Sequence, residues 1–539
     1  MDNSKNLKPE IAKINPTVFW GSVIVCLIFY VPMAIFQTEA QSIVNKLMSG
    51  ITHNLDWMWL MTCTAAFIFI VWLAISRYGN VKLGGTDDKP EFSMFTWLAM
   101  LFFGGVGSSL VYWACLEPIW YLWYPPFGLE AFSAEAAGWS LAYGIFHWGF
   151  TPYALYTLAA IAFSYSYHVR KKPYLYPSYA CRAVLGKAVD GWVGKAIDIF
   201  VVVGLVGGVG TALGVNIPMY SAIAADYLNV TDTMSLKIIF AVGLTSIFGY
   251  SAYRGLYGGI AKLSEICAKG IFLLIVYVLL VGPTFFSLSL FTENLGNLFN
   301  NVFKMNLYTD PIAKSGFPQD WTVFYWAWWI AWAIYMGLFI ARVSKGRTIR
   351  QVISAVMLVG TAACSIFYLT FGSYIVDLTL NKGVAMNEIL SEMGGPAVVV
   401  EVLNRLPLSV VVIPVFLVLM LIFQATSFDS NAYTMAMIGC YRIQGKQEPP
   451  KWSRFFWAGM LLFVAVALML VGGLQVVQLS SVLTSVPVLF ILIILAISLV
   501  KSLKEDFGGT PEDKMLVLDY KVEDDEPIVA YDENTSIKS

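Results

Sequence analysis

The sequence is poor in charge. Of its 539 residues only 13% are charged, whereas 58% are hydrophobic. A soluble protein of this length needs far more charged surface, so the composition excludes one and indicates a polytopic membrane protein. The net charge of -1 at pH 7 leaves no basic excess for binding a nucleic acid.

Residues that build metal and redox centres are few. Three histidines and seven cysteines are scattered along the chain, and no pair has the spacing of a metal or redox motif. No nucleotide-binding loop or nucleophile motif is found. The sequence therefore predicts neither an enzyme nor an ATP-driven pump, and it predicts no cofactor. No cleavable signal peptide is evident, because the first apolar segment is about twenty residues long.

Long hydrophobic runs dominate what is present. We predict about twelve membrane spans, near 17–38, 55–76, 92–124, 136–168, 192–227, 234–250, 259–291, 319–343, 349–377, 407–440, 452–474 and 476–501. Basic residues cluster in the loops after every second span, as at Arg77, Arg170 and Arg342. By the positive-inside rule both termini are cytoplasmic. Residues 1–16 are predicted to be an N-terminal tail, 17–502 the membrane domain and 503–539 an acidic, disordered C-terminal tail.

Several spans contain residues that disturb a helix. Span three carries the run Gly104–Ser109, which indicates either a helix broken at a binding site or close helix packing. In span five, the glycine spacing favours packing. Pro152 predicts a kink in span four. Residues Asn387 to Leu403 predict an amphipathic helix at the outer interface.

The segment 316–336 concentrates aromatic side chains. Five tryptophans and two tyrosines fall within fifteen positions, between Trp321 and Tyr335. The rings continue through the middle of the span, whereas an aromatic belt would lie at its ends. Aromatic faces attract cations, and cages for quaternary ammonium groups are their recurring use. Simple packing is the alternative interpretation. In span four, Trp148, Tyr153 and Tyr156 are candidates for further walls.

Ionisable residues within the spans are rare because burying them in lipid costs free energy, so each is a functional candidate. Glu117 lies in span three. Glu265 and Lys269 in span seven are four residues apart and are placed to pair with each other. Asp429 in span ten lies among hydroxyl-bearing residues, which suit either a small cation or a hydrogen-bonded cluster. His147 is interpreted as a core histidine rather than a proton relay.

The run Trp326–Trp332 resembles the signature of the betaine/carnitine/choline transporter family. Three further stretches agree with that resemblance: Pro125–Glu130, Phe146–Gly149 and Ala341–Thr348. Within the family, Tyr308–Lys314 and Gly316–Met336 are most similar to the L-carnitine/γ-butyrobetaine antiporters. The resemblance covers roughly residues 15 to 500.

The resemblance implies an all-α fold of the leucine-transporter type, with twelve helices and two inverted five-helix repeats near 92–291 and 319–501. It also implies a homotrimer in the cell inner membrane. The implied aromatic box is Trp148, Tyr153, Tyr156 and Trp329. The other implied substrate contacts are Trp328, Trp332, Trp326, Trp120, Trp321 and Met336. The candidate ion or coupling residues are Gly105, Val106, Thr426, Ser427 and Asp429.

The function implied is secondary transport of quaternary ammonium zwitterions such as carnitine, γ-butyrobetaine and glycine betaine. The antiporters of the family run without sodium and use a methionine, matched here by Met336, and an arginine in span seven. Cys267 occupies the arginine position, and Lys269 lies on a different face of the helix. We predict substrate:product exchange, with sodium-coupled symport as the alternative. A solute-sensing receptor is a more remote alternative.

Overall fold

The structure is a computed structural model, and it describes residues 11–85, 87–105, 108–172, 174–254, 260–441 and 447–508. The fold of these residues is all-α, as predicted. Their only β-type pairing is three isolated bridges. Apolar runs without water to satisfy the backbone must form helices, because a helix satisfies its peptide groups internally.

Seventeen helices of six or more residues organise the described chain. They are α1 (Pro16–Ile35), α2 (Gln37–Ile75), α3 (Met94–Gly105), α4 (Ser109–Trp123), α5 (Ala134–His147), α6 (Phe150–Ser164), α7 (Trp192–Tyr227), α8 (Met234–Arg254), α9 (Ile260–Val281), α10 (Thr284–Asn306), α11 (Phe324–Val343), α12 (Ile349–Leu380), α13 (Met386–Met393), α14 (Gly395–Asn404), α15 (Ser409–Ile438), α16 (Lys451–Val471) and α17 (Leu474–Phe507). A wider π-helical turn, Pro318–Val323, leads into α11. Two one-turn helices, Pro177–Ala180 and Arg182–Leu185, lie between α6 and α7.

The helices define a multi-pass membrane protein. Within the described ranges, eight helices are long and apolar enough to cross a bilayer, and the bent pair of α9 and α10 would add a ninth. The predicted spans three and four are each divided between two shorter helices, α3 with α4 and α5 with α6. The total of twelve spans and the inverted repeats stay predictions.

The break within predicted span four lies at Trp148–Gly149, so the kink predicted at Pro152 was wrong. Gly149 has φ -114° and ψ -141°, which no helix contains. Pro152 lies in the first turn of α6, where a backbone N–H has no helical partner to lose. The break exposes the end of α5 to the centre of the molecule, and Trp148 lies at that end.

Predicted span seven is also interrupted. The chain bends by 104° between α9 and α10, at Gly282–Pro283, so residues 284–291 belong to a different helix. The amphipathic helix expected from Asn387 to Leu403 is likewise two helices, α13 and α14. Gly394 separates them with φ +84°, a left-handed backbone conformation that glycine adopts without steric cost.

The glycines of α7 serve packing, as their spacing predicted. A methyl group added to Gly207 would lie 2.1 Å from the Thr484 hydroxyl of α17, and one added to Gly204 would lie 2.6 Å from Val488. Gly210 makes a similar approach to Val464 of α16. Small residues therefore let α7 lie against the two last helices at close range.

The last helix is fastened to the end of α6 by ion pairs. Arg170 donates to Asp506 and to Glu505, both at 2.8 Å, and to the Ser502 carbonyl at 2.9 Å. We refer to these contacts as the Arg170 clamp. The predicted tail 503–539 therefore begins too early, because α17 continues to Phe507 and its acidic residues have specific partners. Residues 509–539 lie outside the described ranges.

Candidate functional site

The π-helical turn and α11 lie at the centre of the molecule, and nearly all their side chains are buried. Gly337 allows the approach of α6, since an added methyl group would lie 2.5 Å from the Ala159 methyl group. The aromatic side chains of α11 therefore face the neighbouring helices rather than lipid. A buried helix that is aromatic on several faces must distribute its rings among several partners.

Three rings pack around Trp329, and together the four form what we call the aromatic box. The ring centroid of Trp329 lies 5.6 Å from that of Trp148, 5.1 Å from Tyr153 and 4.6 Å from Tyr156. The Trp148 ring meets Trp329 at 74°, an edge-to-face arrangement. The structure thus brings together the four residues that the resemblance grouped, from the α5–α6 break, α6 and α11.

Trp328 and Trp332 extend the box into a small cavity of about 30 Å³. The Trp328 indole donates to the Gly208 carbonyl of α7 at 3.0 Å. Trp332 packs on the same glycine, because a methyl group there would lie 2.8 Å from the indole nitrogen. The cavity is lined by Ser109, Trp148, Tyr156, Ala212, Trp328, Trp329, Trp332 and Phe428.

Trp120 and Trp321 form a second aromatic group outside the cavity. Their ring centroids are 5.8 Å apart, and Trp120 also stacks on Trp123 at 5.8 Å. Trp113 connects this group to the box, with its ring 6.1 Å from Trp321 and 6.3 Å from Trp328. Trp321 therefore lies one ring beyond the cavity, and its role as a substrate contact stays a prediction.

Trp326 and Met336 do not line the cavity. Trp326 is fully buried against α5, with ring centroids 5.1 Å from Phe146 and 5.9 Å from His147. Met336 is buried one turn beyond Trp332.

Glu117 of α4 is the centre of a buried hydrogen-bonded group, which we call the Glu117 cluster. Its side chain is fully buried. Its Oε1 atom accepts from Trp148 Nε1 at 3.0 Å, from the Tyr368 hydroxyl at 2.9 Å and from the Tyr325 hydroxyl. Its Oε2 atom accepts from the Tyr121 hydroxyl at 2.9 Å. One wall of the aromatic box is therefore hydrogen-bonded directly to a buried carboxyl group.

His147 completes this cluster. Its Nδ1 atom is 2.9 Å from the Tyr121 hydroxyl, and its Nε2 atom is 3.1 Å from the Thr322 hydroxyl. The imidazole also stacks on Tyr325, with centroids 4.5 Å apart. Both ring nitrogens are satisfied within the core, which agrees with the interpretation of His147 as a structural histidine.

A second buried polar group, the Gln424 cluster, reaches the cavity at Ser109. Asn216 Nδ2 donates to Ser109 Oγ and to Gln424 Oε1, both at 2.8 Å. The Ser108 hydroxyl hydrogen-bonds to Gln424 Oε1 and to the Tyr220 hydroxyl. Among the described residues, Gln424 Nε2 and Asn216 Oδ1 have no partner. Trp332 Nε1 at the cavity wall is also unpaired there.

The predicted ion or coupling residues are placed only in part. Gly105 is the last residue of α3, and Val106 lies outside the described ranges. Thr426 and Asp429 belong to α15, but their side chains lie outside the described part of the structure. The Ser427 hydroxyl is buried and donates to the Phe423 carbonyl at 3.0 Å. Among the described residues, no group of histidine, cysteine and acidic side chains is arranged to hold a metal ion.

Sequence reasoning missed several residues of the site. Ala212 and Phe428 line the cavity, but a lone alanine or phenylalanine in an apolar span carries no signal of its own. Tyr121 lies four residues after Glu117, on the same face of α4, so its hydrogen bond was readable from spacing. Tyr325 and Tyr368 come from other helices, and only the tertiary structure brings them to the carboxyl group.

A polytopic helical membrane protein with an aromatic cavity at the junction of broken helices belongs to the class of membrane transporters. A family model described as "betaine/carnitine/choline family transporter" matches residues 17–508. The chain belongs to the betaine/carnitine/choline transporter family.

Three relatives illustrate the similarity. A carnitine transporter of Acinetobacter baumannii is 33% identical over 480 residues, covering 89% of this chain and 87% of the relative. The uncharacterized transporter YeaV of Escherichia coli is 32% identical over 443 residues, covering 82% and 92%. The uncharacterized transporter Rv0917 of Mycobacterium tuberculosis is 31% identical over 517 residues, covering 93% and 84%. Each relative is named as a transporter, and none as an enzyme.

Proposed function

We propose that this protein is a secondary transporter of small quaternary ammonium zwitterions, of the carnitine, γ-butyrobetaine or glycine betaine type. The observation that carries the proposal is the packing of Trp148, Tyr153 and Tyr156 around Trp329 at the wall of a buried cavity. Aromatic faces attract a methylated cation that has no N–H group to donate. The similarity to a relative named as a carnitine transporter supports the same substrate class.

The cavity also offers groups for the other end of a zwitterion. Ser109 lines it, and the unpaired Trp332 Nε1 lies at its wall. Gln424, whose Nε2 is unpaired, is connected to Ser109 by two hydrogen bonds through Asn216. A buried donor without an acceptor costs free energy, and a carboxylate that reached these groups would recover it. We therefore assign the carboxylate of the substrate to this side.

Competition binding tests the substrate class. Choline has the same trimethylammonium head as γ-butyrobetaine but no carboxylate. We expect γ-butyrobetaine and carnitine to displace a labelled betaine from the purified protein at much lower concentration than choline does. Equal displacement by choline would contradict the carboxylate assignment, and the absence of displacement by every quaternary ammonium compound would contradict the proposed function itself.

We further propose that transport proceeds by exchange of one zwitterion for another. Such exchange moves no net charge and needs no ion gradient. Lys269 pairs with Glu265 at 2.7 Å, and both side chains are exposed, so Lys269 does not replace the arginine of the antiporters. Cys267 is neutral and donates to the Leu419 carbonyl at 3.2 Å. The local similarity to the antiporters nevertheless favours exchange.

Sodium-coupled symport is the second candidate, because the adjacent hydroxyl-bearing residues Thr426 and Ser427 suit a hard cation. Counterflow in proteoliposomes, with sodium present or replaced by potassium, separates the two. Exchange predicts equal rates in both ions and no uptake into vesicles that lack internal substrate. Uptake into such vesicles that follows a sodium gradient, and that is lost in the double variant Thr426→Ala and Ser427→Ala, would establish symport instead.

We propose in addition that the protein is a homotrimer of the inner membrane with both termini in the cytoplasm. The alternation of basic loops supports the orientation. All seven native cysteines are buried, so a Ser539→Cys variant gives one selectively reactive thiol. A membrane-impermeant maleimide should label this thiol only after the cytoplasmic side is opened. Labelling of intact cells would reverse the assigned topology, and native mass spectrometry would measure the subunit number.

A further inference from the structure

The Glu117 cluster holds a carboxyl group in the middle of the protein with only neutral donors around it. Trp148, Tyr121, Tyr325 and Tyr368 direct four hydrogen bonds at its two oxygens. Of the described residues, only His147 lies within ion-pairing distance, with its Nδ1 atom 3.8 Å from Oε2. No lysine or arginine in the described ranges makes an ion pair with it.

The hydrogen-bond donors around this carboxyl group favour its ionised form, because hydrogen bonds to a carboxylate stabilise the charge. An indole N–H can only donate, and the three phenol hydroxyls each place their oxygen within reach of the carboxyl group. A protonated carboxyl group would have to donate one hydrogen itself, and it would lose one of the four acceptor positions. Four groups able to donate to two oxygens therefore favour the carboxylate over the neutral acid.

The hydrogen bonds of His147 fit a neutral imidazole, the form that burial favours. Because Tyr121 donates to Glu117, its oxygen accepts from His147 Nδ1–H. The Nε2 atom then accepts from the Thr322 hydroxyl. With Glu117 ionised and His147 neutral, the cluster carries one negative charge that no lysine or arginine in the described ranges neutralises. A buried charge of this kind is stabilised by a cation, when one arrives nearby.

The cavity in which a cation would bind is separated from Glu117 by the indole ring of Trp148. Trp148 donates its Nε1 hydrogen to Glu117 and turns the rest of its ring to Trp328 and Trp329 at the cavity. A hydrogen bond to an anion increases the electron density of the indole, and the field of the carboxylate reaches the cavity through a medium of low polarity. Both effects favour a cation over a neutral group of the same size.

We propose that Glu117 is the fixed counter-charge of the substrate site and determines its preference for a cationic head group. It acts through Trp148 and through its own field, so it is a specificity-determining positioning residue rather than a direct contact. The inference rests on the proposed function. It adds to the aromatic box, because the ring faces already attract a cation and a buried carboxylate would increase the preference for a positive over a neutral head group.

The test uses two probes of one shape. One is γ-butyrobetaine, and the other is its carbon analogue, in which a tert-butyl group replaces the trimethylammonium group. Calorimetric titration of the purified full-length protein gives the ratio of the two dissociation constants. In Glu117→Gln we expect the affinity for γ-butyrobetaine to fall about tenfold and that for the carbon analogue to stay within about twofold, since only the charge is removed.

The outcomes separate this role from a structural one. If Glu117 only held the fold, both affinities would fall together and the ratio would not change, which would overturn the proposal. Glu117→Asp keeps the charge and should keep the ratio. Asp198→Asn is the matched control, because Asp198 of α7 is a buried carboxyl group that accepts from Ser178 of the one-turn helix Pro177–Ala180 and does not line the cavity.

The wild-type protein gives a result that does not depend on the folding of any variant. Equal affinity of the wild type for the two probes would overturn the proposal outright. If γ-butyrobetaine did not bind the wild type at all, the proposed function would fail. If the wild type preferred γ-butyrobetaine to the carbon analogue and Glu117→Gln kept the same preference, the role of Glu117 would be contradicted and the proposed function would stand.

Discussion

The two buried polar groups beside the cavity are built in opposite ways. In the Glu117 cluster, four donors from four different parts of the chain meet one carboxyl group, and His147 behind it is also satisfied. In the Gln424 cluster, hydroxyl and amide groups bond to one another, and Gln424 Nε2 and Asn216 Oδ1 are left without partners among the described residues.

This difference suits the Glu117 cluster and the Gln424 cluster to different functions. A fully satisfied group has no capacity to bond a ligand, but it fixes the side chains around it and keeps its charge in one place. A group with spare donors and acceptors is less stable by itself and can gain from a polar ligand. The two ends of a zwitterion need these two properties, a fixed negative field for the cation and free donors for the carboxylate.

Replacing the central residue of each cluster by leucine, in separate variants, should give the largest difference in stability. Glu117→Leu leaves four donors without an acceptor, at about 1–3 kcal/mol each, so we expect little folded protein or a strongly lowered melting temperature. Gln424→Leu should cost no more than about 1–2 kcal/mol, because Asn216 keeps Ser109 and Ser108 keeps Tyr220 as partners. Melting curves by fluorescence-detected gel filtration make the comparison, and equal melting temperatures would contradict it.

The aromatic box should dominate affinity. Trp329→Leu removes the central π-face and should weaken γ-butyrobetaine binding by about 1–2 kcal/mol, or roughly 5- to 30-fold, with Trp329→Phe milder. Trp457→Leu is the control, because Trp457 is equally buried but packs against Phe19 and Phe456. Equilibrium binding of a radiolabelled ligand measures the effect. An unaltered dissociation constant in well-folded Trp329→Leu would exclude the box as the site.

The Gln424 cluster should determine the preference for a carboxylate. Gln424→Leu removes the free donor, so we expect the ratio of choline to γ-butyrobetaine dissociation constants to fall about fivefold, equivalent to roughly 1 kcal/mol. Head-group preference, measured with the carbon analogue, should not change. The opposite result would contradict the assignment: the ratio for γ-butyrobetaine and its carbon analogue would change, and the ratio for choline and γ-butyrobetaine would not. The Gln424 cluster would then recognise the head group instead of the carboxylate.

The surface ion pair between Asp88 and Lys345 should have the smallest effect on stability, and it serves as a reference for the buried residues. Asp88 accepts from Lys345 at 2.7 Å in the loops, and this hydrogen bond holds the pKa of Asp88 below its usual value. Because the folded pKa is the lower one, the contribution to stability is present at neutral pH. It is lost as the pH falls below about 4.

Since both side chains are partly exposed, Asp88→Asn should cost less than about 1 kcal/mol at pH 7. The difference between variant and wild type should shrink in high salt and at acid pH. Chemical denaturation at two salt concentrations measures it. If Asp88→Asn lost as much stability as Glu117→Leu, the difference in solvent exposure would not explain why one carboxyl group matters more than the other.

Composition marked the tryptophan-rich segment, because aromatic residues are unusual in the middle of a span, and the family resemblance implied which residues form the box. Trp148, Tyr153, Tyr156 and Trp329 do meet as expected. Trp326, Trp329 and Trp332 are three residues apart but do not share one face of α11. A step of three residues falls about 60° short of a full turn, so the first and last rings point about 120° apart.

The parts that could not be predicted depend on tertiary contacts. Pro152 looked like the break in span four, but a proline at a helix start is tolerated, and Gly149 takes the non-helical conformation instead. Glu117 was recognisable as a costly buried group, yet its donors Tyr325 and Tyr368 lie more than 200 residues away. Periodicity describes one helix at a time, so it cannot assemble such a cluster.

The Arg170 clamp has a practical consequence for handling the protein. Arg170 is largely buried, and Glu505, Asp506 and the Ser502 carbonyl satisfy its guanidinium group. A truncation that removed Glu505 and Asp506 would leave this cation without a counter-ion where α6 ends. Purification tags and fluorescent reporters are therefore best joined after Gly508, and crystallisation trials of shortened chains should treat the same residue as their limit.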